Sequence, residues 1–278
     1  MIFINTNYAC RSFFSDYYRT RVHSPPSPLM EFLEKGKDKK AAQHGRPFLL
    51  LKIMLNFVSS WLFPKKCIGC GKSATYFCAK CIKKQELYLS QRCIKCRRLG
   101  LDGLTHPKCK TVLSVEGIFV IFRYKGGIKK LIKEIKFRRV RSLVVELSEL
   151  YAKTDSRLVD YWKRNNFVVT WVPISNTKLN KRGFNQAELL GRAAAAKFGL
   201  ETEDCLKRNK DTKPQFELNK KERLKNIINS FEVKNNFKKG SNFLLIDDVI
   251  TTGVTARECV KVLKRRGAGK VWVLVLAG

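Results

Sequence analysis

Apolar positions in this chain come in two patterns. Short, mainly apolar runs occur at 117–124, 167–172, 243–246 and 270–276. Their length and β-branched or aromatic content predict buried strands. Between them the spacing changes to a helical period. Ile128, Leu131, Ile132 and Ile135 mark one amphipathic helix, and Leu143, Val144, Leu147, Leu150 and Tyr151 a second. An alanine-rich stretch over 184–198 and a charged one over 217–229 predict two more, the latter followed by a short strand at 231–233. Ala256, Cys259, Val260 and Leu263 predict a helix directly after the 243–246 run. Strands alternating with helices imply an α/β fold whose mostly parallel sheet is covered by helices, with the 270–276 strand closing it.

The pattern fails before residue 47. That segment holds a Ser-Pro-Pro-Ser-Pro string and a run of lysines and acids, with weak periodicity. Residues 1–53 are expected to be a poorly ordered extension or one foreign to the mature protein, with Met54 as an alternative start. Leu51, Met54, Leu55, Val58 and Leu62 keep a helical period, so a short amphipathic helix is expected over 54–66. The apolar stretch 48–63 contains Lys52 and Asn56 and is too short to span a bilayer comfortably. No signal peptide is evident, and a cytoplasmic location is expected.

The cysteines give the second half of the organisation. Seven of the ten lie between Cys67 and Cys109, and six of those form Cys-x-x-Cys pairs. Cys67, Cys70, Cys78 and Cys81 have zinc-ribbon spacing. Cys93, Cys96, His106 and Cys109 repeat it with a histidine in one position. Each short turn presents two ligands and two turns complete a tetrahedron, so two structural zinc ions are expected over 67–112. Eight ligands fill two sites and leave no open position for catalysis. Sequential pairing is the simpler arrangement, and a cross-braced one satisfies the same spacing.

Candidate chemistry concentrates at the end of the 243–246 strand. The run stops at Asp247 and Asp248, and Thr251, Thr252, Gly253, Val254 and Thr255 lead into the next helix. Loop amides and a helix amino terminus favour a phosphate, while paired carboxylates accept hydrogen bonds from hydroxyls. Together they suit a sugar phosphate held beyond the carboxyl end of a strand. An acidic turn without a ligand would share part of this pattern. A second basic segment, with Lys178, Lys181, Arg182 and Gly183, lies between the 167–172 strand and the alanine-rich helix. It reads as a loop able to move, suited to neutralising an anionic leaving group.

The formal charge of +33 favours polyanionic partners. Lysine is spread along the chain, so the charge supports nucleic-acid binding without establishing it. The basic face of Lys129, Lys130, Lys133 and Lys136, with Arg138, Arg139 and Arg141 beyond it, would suit phosphate contacts.

The apolar–Asp-Asp–Thr-Gly-x-Thr string resembles the phosphoribosyl-diphosphate (PRPP) signature of type I phosphoribosyltransferases. With it, in order, stand Lys-Phe at 136–137, Val-Pro at 172–173, Lys-Arg-Gly-Phe-Asn-Gln at 181–186, Thr212-x-x-Gln215 and Arg223-x-x-Asn226. Together with the double zinc ribbon they resemble the ComF family, whose members are associated with competence and gluconate utilisation. The resemblance covers about 54–278 and departs at His106, where the family usually has cysteine. It implies a phosphoribosyltransferase-like domain over 113–278. Asp247 and Asp248 would bind the ribose hydroxyls, Thr251 to Thr255 the 5′-phosphate, and Lys178, Lys181, Arg182 and Gly183 the diphosphate with Mg²⁺. It leaves the acceptor unknown. It also implies an alternative role in handling single-stranded DNA with the competence machinery.

Overall fold

A computed structural model describes residues 65–137, 143–209, 227–234 and 237–278. The expected extension over 1–53, nearly all of the 54–66 helix, most of the 217–229 helix, the Thr212 and Arg223 motifs and the basic residues from Lys136 to Arg141 lie outside these residues or have no described side chain.

Four parallel strands form the main sheet: β1 (Gly117–Phe122), β2 (Phe167–Trp171), β5 (Asn242–Val249) and β6 (Val271–Ala277), in the order β1-β6-β5-β2. β6 therefore runs inside the sheet, between β1 and β5. The 270–276 run, expected to close the sheet, thus lies within it. All seven residues of β6 are buried, which is the signature of an interior parallel strand rather than an edge. A separate two-stranded sheet pairs β3 (Leu206–Arg208) with β4 (Phe231–Val233) in antiparallel register.

The helices follow from their apolar stripes and caps. The first, α1 (Ala79–Lys83), belongs to the cysteine-rich segment. α2 (Gly126–Phe137) buries Ile128, Leu131, Ile132 and Ile135 and exposes Lys129, Lys130 and Lys133. α3 (Leu143–Ser148) leads through a 3₁₀ turn, Glu149–Lys153, to α4 (Ser156–Arg164). α4 was not anticipated. Only Leu158 and Trp162 are buried on it, one turn apart, and its start is set by the Asp155 carboxylate accepting from the Arg157 N–H at 2.9 Å.

The basic segment, expected as a loop able to move, is instead helical: Asn176–Arg182 forms α5, closed by Gly183 at φ 75°. Gly183 terminates the helix because the left-handed conformation costs a glycine nothing in Cβ contacts. The chain re-enters helix at α6 (Gln186–Phe198), where the Asn185 side chain accepts from the Ala187 N–H at 3.1 Å.

Aromatic rings join the sheet to its helices. Trp162 of α4 lies edge-on to Trp272 of β6 at 6.0 Å and packs against Phe198 of α6 at 5.9 Å. A Cβ at Gly117 would lie 2.5 Å from the Trp272 ring, so β1 passes this cluster only as glycine.

The segment following the first cysteine cluster is stitched to the open edge of β1. Tyr88 N–H donates to Ile121 O, and Arg123 N–H to Glu86 O, both at 2.9 Å. The Gln91 amide continues the ladder with its side chain, accepting from Val120 N–H at 3.0 Å and donating to Val120 O at 2.9 Å. Further on, Leu104 bridges Gly117, and a Cβ on Gly103 would lie 1.8 Å from Ile118 O. An unpaired edge is thus covered.

Candidate functional site

β5 ends in the acidic pair. Asp247 Oδ1 accepts the Asp248 N–H at 2.8 Å, and Asp248 Oδ1 accepts the Val249 N–H at 2.7 Å. These local bonds fix both carboxylates at the carboxyl end of the strand, where each is half-buried. Five residues after Asp248 the chain turns at Gly253, φ 68°, into α7 (Val254–Arg265). No side chain caps that helix, so its first N–H groups remain available to an anion. Thr251 is exposed, Thr252 and Thr255 are half-buried, and Val254 is buried.

The basic helix α5 reaches this pair through one intermediary. Arg182 donates from Nη1 to Gln186 Oε1, and Gln186 donates from Nε2 to Asp248 Oδ2 at 3.4 Å. Gln186 is 4% exposed. The fold therefore brings Arg182 toward Asp248, whereas Lys181 and Gly183 face solvent. Sequence reading gave Gln186 no role of its own, although it closes the Lys-Arg-Gly-Phe-Asn-Gln string. Tyr151 was read only as an apolar helix position. It is buried, and its hydroxyl has no partner among the described residues. Burial, and then the charges of Asp248 and Asp247, raise its pKa above the ordinary phenol range.

The cysteines assemble into two separate clusters, Cys67, Cys70, Cys78 and Cys81, then Cys93, Cys96, His106 and Cys109, with ligand atoms in each within 4.8 Å of one another. Pairing is sequential; the cross-braced alternative is not what the fold adopts. Cys70 and Cys78 sulfurs are 3.8 Å apart, matching the edge of a tetrahedron with Zn–S bonds of about 2.3 Å. Burial alone would raise the Cys67 thiol, but N–H groups of Cys78, Cys70 and Gly69 directed at its sulfur hold it at about 6. Burial and the surrounding sulfurs push Cys81 up to about 12. Crowded sulfurs that raise one another are the electrostatics a divalent cation relieves. In the second cluster His106 Nε2 donates to Leu99 O at 2.8 Å, since a carbonyl only accepts. That leaves Nδ1, 3.2 Å from Cys96 Sγ, as the ligand atom. Both clusters can hold zinc.

A polar side chain of the α/β layer reaches each cluster. Glu146 of α3 accepts from Tyr76 N–H at 2.7 Å, Thr75 Oγ1 at 3.0 Å and Phe77 N–H at 3.1 Å beside the first cluster. Arg257 of α7 donates to Ile94 O, within the second, at 2.9 Å, and to Thr252 O of the threonine loop at 3.1 Å. Burial lowers the Arg257 pKa, and Arg97 adds to the effect. Ile94 also lies against the loop itself: a Cβ on Gly253 would meet its Cγ1 at 2.9 Å. These contacts join residues far apart in sequence and left no signal in it.

Among the described residues no helix is long and apolar enough to cross a membrane. No protein-family model matches the chain. Among solved structures, similarity extends to the allosteric regulatory enzyme of purine biosynthesis, with TM-score 0.34, 19% identity, and coverage of 52% of this chain and 30% of that one. It extends also to adenine phosphoribosyltransferase from Saccharomyces cerevisiae, with TM-score 0.30, 20% identity, and coverage of 50% and 71%. Among proteins of known sequence, competence protein F of Haemophilus influenzae is 29% identical over 219 residues, 76% of this chain and 89% of that protein. DNA utilization protein YhgH of Escherichia coli K12 is 28% identical over 195 residues, 65% and 82%. Competence protein ComFC of Streptococcus pneumoniae is 30% identical over 200 residues, 70% of this chain and 84% of that protein. With that identity carried across most of a ComFC protein, and with both cysteine clusters formed, the chain belongs to the ComF family.

Proposed function

We propose that the chain binds PRPP with Mg²⁺ at the carboxyl end of β5. The observation that carries this is the acidic pair fixed by its own backbone bonds, five residues before the N-cap Gly253 at the uncapped amino end of α7. Asp247 and Asp248 would accept hydrogen bonds from the ribose hydroxyls. N–H groups from Thr251 to Thr255 would hold the 5′-phosphate, helped by the helix dipole. Arg182, with Lys178 and Lys181 on the same short helix, would offset charge on the diphosphate. Magnesium, when bound, would supply further positive charge there, with most of its ligands from water and PRPP. If phosphoribose is transferred to an acceptor, the residues named act by positioning and charge stabilisation rather than as nucleophiles. The two cysteine clusters would hold structural zinc.

Thermal denaturation with and without PRPP and Mg²⁺ tests the reading. PRPP should raise the midpoint, and Asp247→Ala with Asp248→Ala should remove the shift. A parent protein that does not respond refutes it.

The relatives' names favour a second activity, handling of DNA. The exposed Lys129, Lys130 and Lys133 of α2 offer a cationic row for a phosphate backbone. Single-stranded DNA should then bind with a steep salt dependence that charge reversal at Lys130 and Lys133 reduces. Salt-insensitive binding would rule the row out.

A further inference from the structure

Gln186 stands where three elements meet beside the acidic pair. It opens α6 shortly after the carboxyl end of β2, the strand that neighbours β5. The residue before it pins the backbone there. Asn185 is buried, donates from Nδ2 to Val172 O at 3.0 Å and accepts the Ala187 N–H at 3.1 Å. From this fixed point the Gln186 side chain lies between two charged groups, accepting from Arg182 of α5 and donating to Asp248 of β5.

Chemistry fixes which way the amide faces. A guanidinium only donates and a carboxylate only accepts, so Oε1 belongs to Arg182 and Nε2 to Asp248. Burial of Gln186 removes water as a substitute for either bond. A carboxylate at this position would pair with the arginine and repel Asp248, and a lysine would do the reverse. The amide also separates the two charges. In direct contact Arg182 and Asp248 would neutralise each other and offer less to a ligand. With Gln186 between them, Arg182 commits only Nη1 and keeps its other N–H groups, while the Asp248 oxygens retain lone pairs.

We propose that Gln186 is a positioning residue that holds Arg182 within reach of the diphosphate, and that it thereby sets the preference for PRPP over ribose 5-phosphate. The inference rests on the PRPP reading above and adds to it the residue on which this discrimination depends. Both ligands carry the ribose hydroxyls and the 5′-phosphate. They differ in the diphosphate at C1, so the ratio of their affinities isolates what the arginine contributes.

Calorimetry on the zinc-loaded full chain, with PRPP and with ribose 5-phosphate in the presence of Mg²⁺, tests this through a double-mutant cycle. The parent should favour PRPP by about tenfold or more, and Arg182→Ala should cut that preference by about fivefold or more. Gln186→Met, close to glutamine in size and shape, should cut it about as far. The double variant should lose no more preference than either single one, because the two side chains act along one path. A role confined to packing at the start of α6 would instead weaken both ligands alike and add to the arginine effect. If Gln186→Met does not fold, Gln186→Glu decides: its charge pairs with Arg182, so the preference should fall although the shape is kept. Unchanged preference in the Gln186 variants, equal weakening of both ligands, additive losses, or a parent that binds the two ligands equally would each overturn the inference while leaving PRPP binding intact. A parent that binds neither ligand refutes the PRPP reading itself, and this inference with it.

Discussion

Arg257 donates to the carbonyl oxygen of Ile94 at 2.9 Å across 163 positions of sequence, and through the same nitrogen to Thr252. A metal-type turn and the threonine loop are thereby held by one guanidinium. The loop's conformation is thus set partly from the cysteine side, by a hydrogen bond and by the Ile94 side chain lying against Gly253.

Gly253 is the most sensitive point of that contact. Its φ of 68° disfavours any side chain, and a Cβ would approach Ile94 to 2.9 Å. Gly253→Val is expected to destabilise by about 1–3 kcal/mol in urea titration and to abolish the PRPP-dependent rise in midpoint. Adding Ile94→Ala should recover only part of the stability, because the backbone strain remains.

Elemental analysis should find two zinc ions per chain, one for each cluster. Cys109→Ser should leave one and weaken the PRPP response, because the second cluster carries Ile94. His106→Cys should keep both, since a thiolate replaces the imidazole among the same neighbours. A PRPP response untouched by loss of the second zinc would show that the Ile94 contact does not govern the loop.

Gln91 acts as a strand residue through its side chain. Replacing it with Leu leaves the Val120 N–H and C=O without their partner, and each buried orphan costs about 1–3 kcal/mol. Urea midpoints should fall accordingly. Gln91→Glu should not rescue, since a carboxylate cannot donate to the Val120 carbonyl. Light scattering should also register association through the opened edge of β1.

Asp155 provides a pH-dependent contribution with a definite sign. Hydrogen bonds from the Arg157 side chain hold its carboxyl below the usual carboxylate range. A pKa lowered on folding gives stability that is present above the unfolded value, about 3.9, and lost as pH falls through the folded one. Asp155→Asn retains the cap but not the charge. It should be less stable at neutral pH by at most about 1 kcal/mol, given the exposure of Arg157, and the difference should vanish in acid.

The sheet strands were legible because each interior parallel strand is an unbroken apolar run, as in 243–246. Cysteine spacing likewise announced both clusters, and only their pairing needed coordinates. Strand order was not legible, because nothing in the 270–276 run distinguishes an inner position from an edge. α4 was missed because two buried residues make too narrow a stripe, and α5 because its basic residues bury no apolar face. The polar side chains that join the parts, Gln91, Glu146, Gln186 and Arg257, were invisible for a common reason. Their partners are main-chain atoms or side chains remote in sequence, and such pairing carries no periodicity.

The near-contact of Gly103 with the Ile118 carbonyl, alongside the side-chain ladder of Gln91, bears on how such a protein can evolve. A cysteine-rich segment tethered by a loose linker could be traded between unrelated α/β partners. This one supplies hydrogen bonds to a particular register of β1 and needs a bare backbone where it crosses that strand. Change on either side of the seam must be matched on the other, so the two halves are expected to be inherited together.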